Sequence, residues 1–242
     1  MENSEKVKTL LHRANTRGHA NHGWLDTSHT FSFAGYYEEE RVHFGLLRVL
    51  NDDVVAPGMG FGKHPHDNME IVSIPLQGAL EHSDSEGNKQ VIRTGDVQIM
   101  SAGSGLRHAE YNHSKEEPVN FLQIWVFPKV RDIEPRYEQK TFAETERKNK
   151  LQTIVSPEDS NVLWINQDAY FSRLDLDKGK ELDYTVKRKE NGVYIFVLEG
   201  SVSVEGEVLN KRDGMGITFK EHITLKAEEA TQLLLIDVPM ED

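Results

Sequence analysis

The sequence contains no cysteine among its 242 residues, and this absence excludes several kinds of chemistry. Disulfide bridges, thiolate metal ligands and thiol nucleophiles are all ruled out, which is compatible with a reducing compartment. A chain of this length can bury one large core, or two of ordinary domain size, without cross-links. We therefore expect a fold that is held by packing and hydrogen bonds.

The sequence also lacks any apolar run approaching the roughly 20 residues that are needed to cross a bilayer. Residues 1–10 are mostly polar and carry no apolar segment of signal-peptide length. We therefore expect a soluble, cytoplasmic protein with no membrane partner.

Positive charge is scarce, because 28 basic residues face 40 acidic ones and the net charge is −12. Nucleic-acid binding draws its sequence-independent affinity from Lys and Arg side chains that neutralise phosphates. The short basic runs at 147–148 and 187–189 are flanked by acids and are typical of a solvated face. The composition therefore argues against a nucleic-acid partner.

Several catalytic signatures are missing as well. The sequence has no Gly-x-Ser-x-Gly elbow, no Gly-x4-Gly-Lys-[Ser/Thr] phosphate loop and no dinucleotide fingerprint that opens a helix. The remaining candidate chemistry is that of a metal site.

Two pairs of candidate ligands stand out. His64 and His66 are two residues apart, as are His108 and Glu110, and on a β-strand this period turns both members of a pair to one face. If the two faces meet inside a barrel, they form a set of three imidazoles and one carboxylate. Such a set suits a divalent ion of the iron group and leaves room for a substrate or dioxygen.

The spacing of the histidines is weak evidence by itself. With 11 histidines, chance alone supplies about 0.5 His-x-His pairs, and solvated histidines on polar strand faces remain the alternative. The context favours a metal site, because glycines precede both pairs and permit the bends that let side chains converge. Pro65 has no N–H to donate, so it suits a strand end or a bulge at a barrel mouth.

The rest of the chain predicts an all-β fold. Short apolar or alternating segments recur between Gly-rich and polar turns, without a helical period, which is typical of a sandwich or a barrel of jelly-roll type. The charged, proline-containing stretch 128–150 is the best candidate for an interdomain connector.

The motifs resemble those of a known family. The pattern Gly58-x5-His64-x-His66-x3-Glu70-x7-Gly78 resembles the first cupin motif, and Gly95-x12-His108-x-Glu110-x-Asn112 resembles the second. Three segments are similar to the pirin family of two-cupin proteins, in particular to its bacterial quercetin 2,3-dioxygenase-like branch: GFGKHPH (60–66), QIMSAGSGLRHAEYN (98–112) and PRYEQ (135–139).

The resemblance implies two tandem cupin β-barrel domains, with a metal-binding domain at 1–134 and a degenerate domain at 135–242. Thr185 and Lys187 stand where a second His-x-His would fall, and the second half has one histidine, His222. We therefore expect one divalent transition metal per chain, with Fe(II) as the first choice and Mn, Ni, Cu, Co or Zn as alternatives.

The resemblance also implies a function, namely O2-dependent ring cleavage of a small aromatic substrate of the flavonol (quercetin) type, with loss of carbon monoxide. Glu110 would be both a metal ligand and the catalytic acceptor of the substrate proton. Two alternatives stay open: a redox-sensitive regulatory protein that binds a protein partner, and a metal-stabilised scaffold without turnover.

Two further expectations concern residues near the motifs. Glu70 is expected close to the site, either supporting a ligand or in the wall of the pocket, without being a main ligand. His12, His19, His22 and His29 lie at spacings that do not suit one strand face, so we expect them to make local turn and cap hydrogen bonds rather than to bind metal.

Overall fold

The computed structural model describes residues 7–241, so residues 1–6, which belong to the polar N-terminal segment discussed above, and residue 242 lie outside it. The described chain forms 21 strands and three short 3-10 helices, at Ala14–Thr16, Glu39–Arg41 and Glu144–Glu146. No helix in this range is long and apolar enough to cross a membrane.

The strands are numbered in chain order. They are β1 (Lys8–His12), β2 (Gly18–Asn21), β3 (Leu25–His29), β4 (Leu47–Val55), β5 (Gly60–His66), β6 (Glu70–Gln77), β7 (Ala79–Asp84), β8 (Lys89–Arg93), β9 (Asp96–Ser101), β10 (Leu106–Asn112), β11 (Val119–Val126), β12 (Arg136–Thr141), β13 (Gln152–Val155), β14 (Tyr170–Leu176), β15 (Glu181–Thr185), β16 (Asn191–Glu199), β17 (Ser201–Val204), β18 (Glu207–Asn210), β19 (Gly214–Thr218), β20 (His222–Ala227) and β21 (Thr231–Pro239).

The strands form two barrels, each made of a large and a small antiparallel sheet. In the first barrel, the large sheet has the order β12-β9-β6-β11-β4-β3-β2 and the small sheet the order β5-β10-β7-β8. In the second barrel, the orders are β1-β19-β16-β21-β14-β13 and β15-β20-β17-β18. The predicted all-β fold of two barrels is therefore confirmed.

The largest apolar cluster lies between the two barrels, where the outer faces of the two large sheets pack together. It combines residues of both halves of the chain, among them Leu47, Leu50, Ile74, Leu122, Phe171, Phe196, Leu234 and Ile236. Burial of this surface joins the barrels, because apolar area removed from water stabilises an interface in proportion to its size.

The interiors of the two barrels differ in chemistry. Sixteen buried apolar residues fill the second barrel as one cluster, whereas the first barrel holds two small clusters of six and four. The space between these two is lined by buried polar side chains, including Ser73, His82, Gln98, His108 and Glu110. The interior of the first barrel is therefore the one suited to polar chemistry.

The division between the barrels differs from the expected one at both ends of the first barrel. The strand β12 pairs with β9, so residues 136–141 belong to the first barrel, although the boundary was expected at 134/135. The strand β1 pairs with β19 of the second barrel. The boundary differs from the expected one because strand pairing decides where a barrel ends.

The N-terminal arm links the barrels through buried polar contacts. His12 Nδ1 lies 2.8 Å from the hydroxyl of Tyr194 in the second barrel, so the expectation of a local contact was wrong for this histidine. Asp52 accepts a hydrogen bond from Arg212 Nε at 2.8 Å and lies 3.8 Å from Arg17 Nη1. These ion pairs are largely buried, with side-chain exposures of 7 to 15%.

We expect Asp52→Asn to lower the free energy of unfolding by about 3 kcal/mol, because it leaves two largely buried guanidinium groups without their counter-charge. Chemical denaturation of the variant and the wild type measures this. The matched control is Glu146→Gln, which removes an exposed pair with Lys150 and should cost less than about 1 kcal/mol. Equal effects of the two substitutions would contradict a role of Asp52 in the junction.

Candidate metal centre

The candidate centre is built on the pairing of β5 with β10. In this antiparallel pair His64 lies directly opposite His108, and Leu106 lies opposite His66. The register shifts between His108 and Glu110, where a bulge leaves an extra residue on β5. Because directly paired residues and residues two apart share a face, the three histidines are turned to the same side of the sheet.

Glycine allows these strands to meet. A Cβ atom at Gly60 would collide with the backbone of Glu110 and Tyr111, so no other residue fits there without moving β10. The strand β5 lies at the edge of its sheet, where Pro65 can be accommodated without losing a ladder bond. The sequence features that surround the histidines thus serve to position them.

The structure brings His64, His66 and His108 together. Their ring centroids are 4.5 to 4.8 Å apart, and the Nε2 atoms of His64 and His108 are separated by 3.1 Å. Two nitrogens that each lie about 2.1 Å from one ion are roughly 3.0 to 3.4 Å apart in octahedral or tetrahedral geometry. The observed separation therefore fits two ligands of one ion.

The hydrogen bonding of His64 suits the same role. Its Nδ1 lies 2.8 Å from the carbonyl oxygen of Gly62 and donates to it, so that the neutral ring carries a lone pair on Nε2. That lone pair faces His108 Nε2. Two facing lone pairs repel unless a cation or a proton lies between them, so this donor set fits a metal ion.

The surroundings of His66 and His108 favour the neutral form of these two imidazoles. Burial, followed by His108 and His64, lowers the pKa of His66 to about 4. Burial, followed by His64 and His82, lowers the pKa of His108 to about 3. Neutral imidazole is the form that binds a metal.

Glu110 lies in an adjoining group rather than in the same triad. Its carboxylate groups with His82 and His108, all three being buried, and it shares only His108 with the three-histidine cluster. Strand pairing explains this, since Glu110 lies opposite His82 on β7. Gln123 Nε2 donates to one carboxylate oxygen at 2.6 Å, and Ser73 Oγ donates to the other at 3.1 Å.

Sequence reasoning missed the residues that support the carboxylate and His108. His82 Nε2 lies 3.0 Å from Asp84 Oδ2, and the His82 ring stacks on Tyr137 at a centroid distance of 4.6 Å. The available signal was the two-residue spacing of His82 and Asp84, which repeats that of the predicted ligands. Gln123 carried a weaker signal, as a polar residue inside an apolar strand.

Glu70 is not in the wall of this pocket, so that prediction was wrong. Its Oε2 accepts hydrogen bonds from Ser101 Oγ at 2.8 Å and from the backbone N–H of Asn166 at 3.1 Å. Glu70 follows the alternation of β6, in which Ser73 faces the barrel interior and Val72 and Ile74 face the other barrel. The side chain therefore contributes to the junction between the barrels.

Aromatic rings surround the open side of the histidines. The ring of Trp125 lies 4.9 Å from His66 and 5.4 Å from Phe33, in edge-to-face arrangements. Phe33 belongs to the N-terminal arm, residues 7–33, which therefore contacts Trp125 beside the site. His19, a histidine of the arm, makes a local contact instead, since its Nε2 lies 2.8 Å from Asp26 Oδ1 in the β2–β3 hairpin.

The second barrel contains no comparable cluster in the part of the chain that the structure describes. Both groups of three or more metal-ligating side chains within residues 7–241 lie in the first barrel. Thr185, Lys187 and His222 are exposed on the second barrel. Its interior is occupied by the apolar cluster described above.

Comparisons with known proteins agree with this architecture. Residues 11–126 match the model of the Pirin family, and residues 153–238 match the model described as quercetinase C-terminal cupin domain. A quercetin 2,3-dioxygenase of Escherichia coli (strain K12) is 44% identical over 230 residues, which cover 95% of this chain and 98% of that protein. A pirin-like protein of Caulobacter vibrioides is 42% identical over 222 residues, covering 91% and 95%.

A solved structure shows the same fold. The crystal structure of the bacterial pirin YhhW from Escherichia coli, in complex with nickel(II), matches with a TM-score of 0.91 at 42% identity. The match covers 96% of this chain and 99% of that one. The similarity therefore extends over both barrels.

A second buried carboxyl lies deeper in the first barrel. Asp53 is 4% exposed and accepts a hydrogen bond from the hydroxyl of Thr27. Burial raises the pKa of Asp53 to about 7, and the nearby Asp52 and Glu110 add to the effect. At neutral pH this carboxyl is therefore partly protonated.

We expect Asp53→Asn to remove a pH dependence of stability. Between pH 3.8 and about 7 the unfolded chain releases the Asp53 proton while the folded chain keeps it, so wild-type stability falls as pH rises through this window. The free energy of unfolding of Asp53→Asn, relative to that of the wild type, should therefore rise by roughly 2 kcal/mol between about pH 5 and about pH 8.

Urea denaturation in the presence of a chelator measures this, because a bound cation would shift the same carboxyl. The matched control is Asp183→Asn, since Asp183 also accepts from a threonine hydroxyl, at 2.6 Å from Thr224, but is exposed. A pH-independent difference between Asp53→Asn and the wild type would refute the raised pKa.

Proposed function

This chain belongs to the pirin family of two-cupin proteins, and from that membership we propose that it is a metal-dependent dioxygenase that cleaves flavonol-type substrates. The observation that carries the proposal is the convergence of three imidazoles in a barrel with a polar interior, beside a buried carboxylate. The names of the relatives support the reaction class, and the geometry supports a metal-based chemistry.

We assign the ion to His64, His66 and His108, with Glu110 as the fourth ligand. Fe(II) remains the first choice, and the nickel(II) complex of the Escherichia coli pirin supports a first-row divalent ion in this site. When bound, such an ion would supply Lewis acidity toward an enolate oxygen and electron transfer to dioxygen.

The side chains of this protein would supply orientation and proton transfer. Trp125 presents aromatic surface next to His66, with Phe33 packed against Trp125, which suits a flat aromatic substrate. The carboxylate of Glu110 would accept the proton of the substrate hydroxyl group. Ser73 and Gln123 hold this carboxylate in place, so that its position does not depend on the ion alone.

We expect about one equivalent of metal per chain, and we expect His64→Ala or His108→Ala to lose it. Each of these substitutions removes one of the three nitrogen donors of the His64–His66–His108 cluster. Elemental analysis after dialysis against Fe(II) under anaerobic conditions measures the content. The control is His113→Ala, which removes an exposed histidine paired with Glu81 and should bind as the wild type does. Two equivalents, one of which survives His64→Ala, would contradict the assignment.

We expect Glu110→Gln to retain much of its metal and to lose flavonol turnover by a factor of about 10² or more. The amide keeps the shape of the side chain and an oxygen that can accept from Gln123, but it has no basicity. Turnover is measured aerobically with a flavonol panel and carbon monoxide detection, and is normalised to bound metal.

Glu81→Gln, on the exposed part of β7, serves as the control and should leave turnover unchanged. A fully metallated Glu110→Gln protein with the wild-type rate would remove Glu110 from proton transfer. Absence of turnover in the metallated wild type on every flavonol would refute the proposed activity.

A further inference from the structure

A second polar cavity lies at the junction of the two barrels, away from the histidine cluster. It encloses about 170 Å³ and is lined from the first barrel by Pro75 and Leu76, and from the second half by Arg147, Arg173, Arg212 and Gln232. Three arginines around one cavity are unusual in a chain of net charge −12.

Two of these arginines are already neutralised. Arg147 donates to Asp175 from Nε at 2.9 Å and to Glu144 from Nη2 at 3.0 Å. Arg212 pairs with Asp52, as described above. The cavity wall also includes Glu199, which is engaged by Lys211 at 2.8 Å. Asp175 and Glu144 also lie near enough to Arg173 to raise its pKa, but neither forms an ion pair with it among the described residues.

Arg173 differs from them. It is 7% exposed, forms no ion pair within residues 7–241, and its Nε is buried without a hydrogen-bond partner. Its position on β14 points the side chain toward the first barrel, because Phe171, two residues earlier, packs in the cluster between the barrels. An apolar residue would be expected at such a position, as at Leu234 opposite it.

A buried guanidinium without a partner costs free energy, so its presence calls for a group that occupies the cavity. Burial lowers the pKa of Arg173 to about 10, with Arg147 adding to the effect, which leaves the side chain charged at neutral pH. A planar guanidinium matches the paired oxygens of a carboxylate or a phosphate.

The volume limits the size of the occupant. Since a water molecule takes up about 30 Å³ in the liquid, the cavity holds roughly five or six groups of that size. This is below the range of about 300 to 1,000 Å³ that is usual for drug-sized ligands, so the cavity favours an occupant smaller than a flavonol or a nucleotide.

We propose that this cavity, which we call the junction pocket, binds a small oxyanion, either inorganic phosphate or a short carboxylate, through the guanidinium of Arg173. The ligand would contact both barrels, so it would strengthen their junction. This site is independent of the proposed dioxygenase activity.

The test is calorimetric titration of the metal-loaded full chain with sodium phosphate and, separately, with sodium malonate, at constant ionic strength set by chloride. We expect saturable binding of at least one anion to the wild type, and binding at least about tenfold weaker to Arg173→Met. If only one of the two anions binds, the result identifies the ligand as a phosphate or as a carboxylate. The control Arg131→Met removes an exposed arginine and should bind as the wild type does.

Two further measurements distinguish anion binding in the junction pocket from binding at the metal and from a purely structural role of Arg173. His64→Ala should bind the anion normally, which shows that the anion is not held at the metal. Without anion, Arg173→Met should unfold at or above the wild-type temperature, because the substitution replaces an unpartnered charge by an apolar chain. If Arg173→Met does not fold, Arg173→Lys is tested instead and should bind the anion more weakly than the wild type. Absence of saturable binding to the wild type, or equal binding to Arg173→Met, would overturn the proposal.

Discussion

The candidate centre depends on the register between β5 and β10, because this register decides whether His64 and His108 meet. A slip of one residue would turn the side chains of one strand to the opposite face. The register is fixed from both sides, since Gly60 permits the close approach of β10, and β7 pairs along the other edge of β10. Backbone pairing therefore places the three histidines on one face of the sheet. Their side-chain rotamers then bring the rings together.

A barrel with a polar interior is stable only if apolar surface is buried elsewhere in the fold. In the first barrel the apolar clusters are small, and the main core lies on the outer face of its large sheet, against the second barrel. The second barrel has a filled apolar interior of its own and covers this face. This division explains why a barrel that has no ligand cluster among its described residues still matters to the site: it stabilises the barrel that does.

The two-residue spacings of His64 with His66 and of His108 with Glu110 were sufficient to predict that two strands bring three histidines together, and the strand rhythm was sufficient for the all-β fold. The spacing could not show that Glu110 faces His82, because that depends on which strand lies on the other side of β10. Glu70 was misjudged because its strand faces two cores, so that alternation alone did not tell the interior from the junction. The expected boundary at 134/135 lies inside the connector 128–150 that composition suggested, and composition contains no information on the pairing of β12 with β9.

Charge is the remaining constraint inside the first barrel. Glu110 and Asp53 are both buried, and neither forms an ion pair with a lysine or arginine in the described chain. Desolvation of a carboxylate without a counter-charge is expensive, and Asp53 responds by keeping its proton to higher pH, whereas Glu110 is held by the neutral donors Ser73 and Gln123. Since Glu110 forms no ion pair with a lysine or arginine in the described chain, the proposed ion would supply the cation that it otherwise lacks. The carboxylate and the histidines would then stabilise each other only through the ion. A shared ion therefore explains why both kinds of polar group lie in the interior of one barrel.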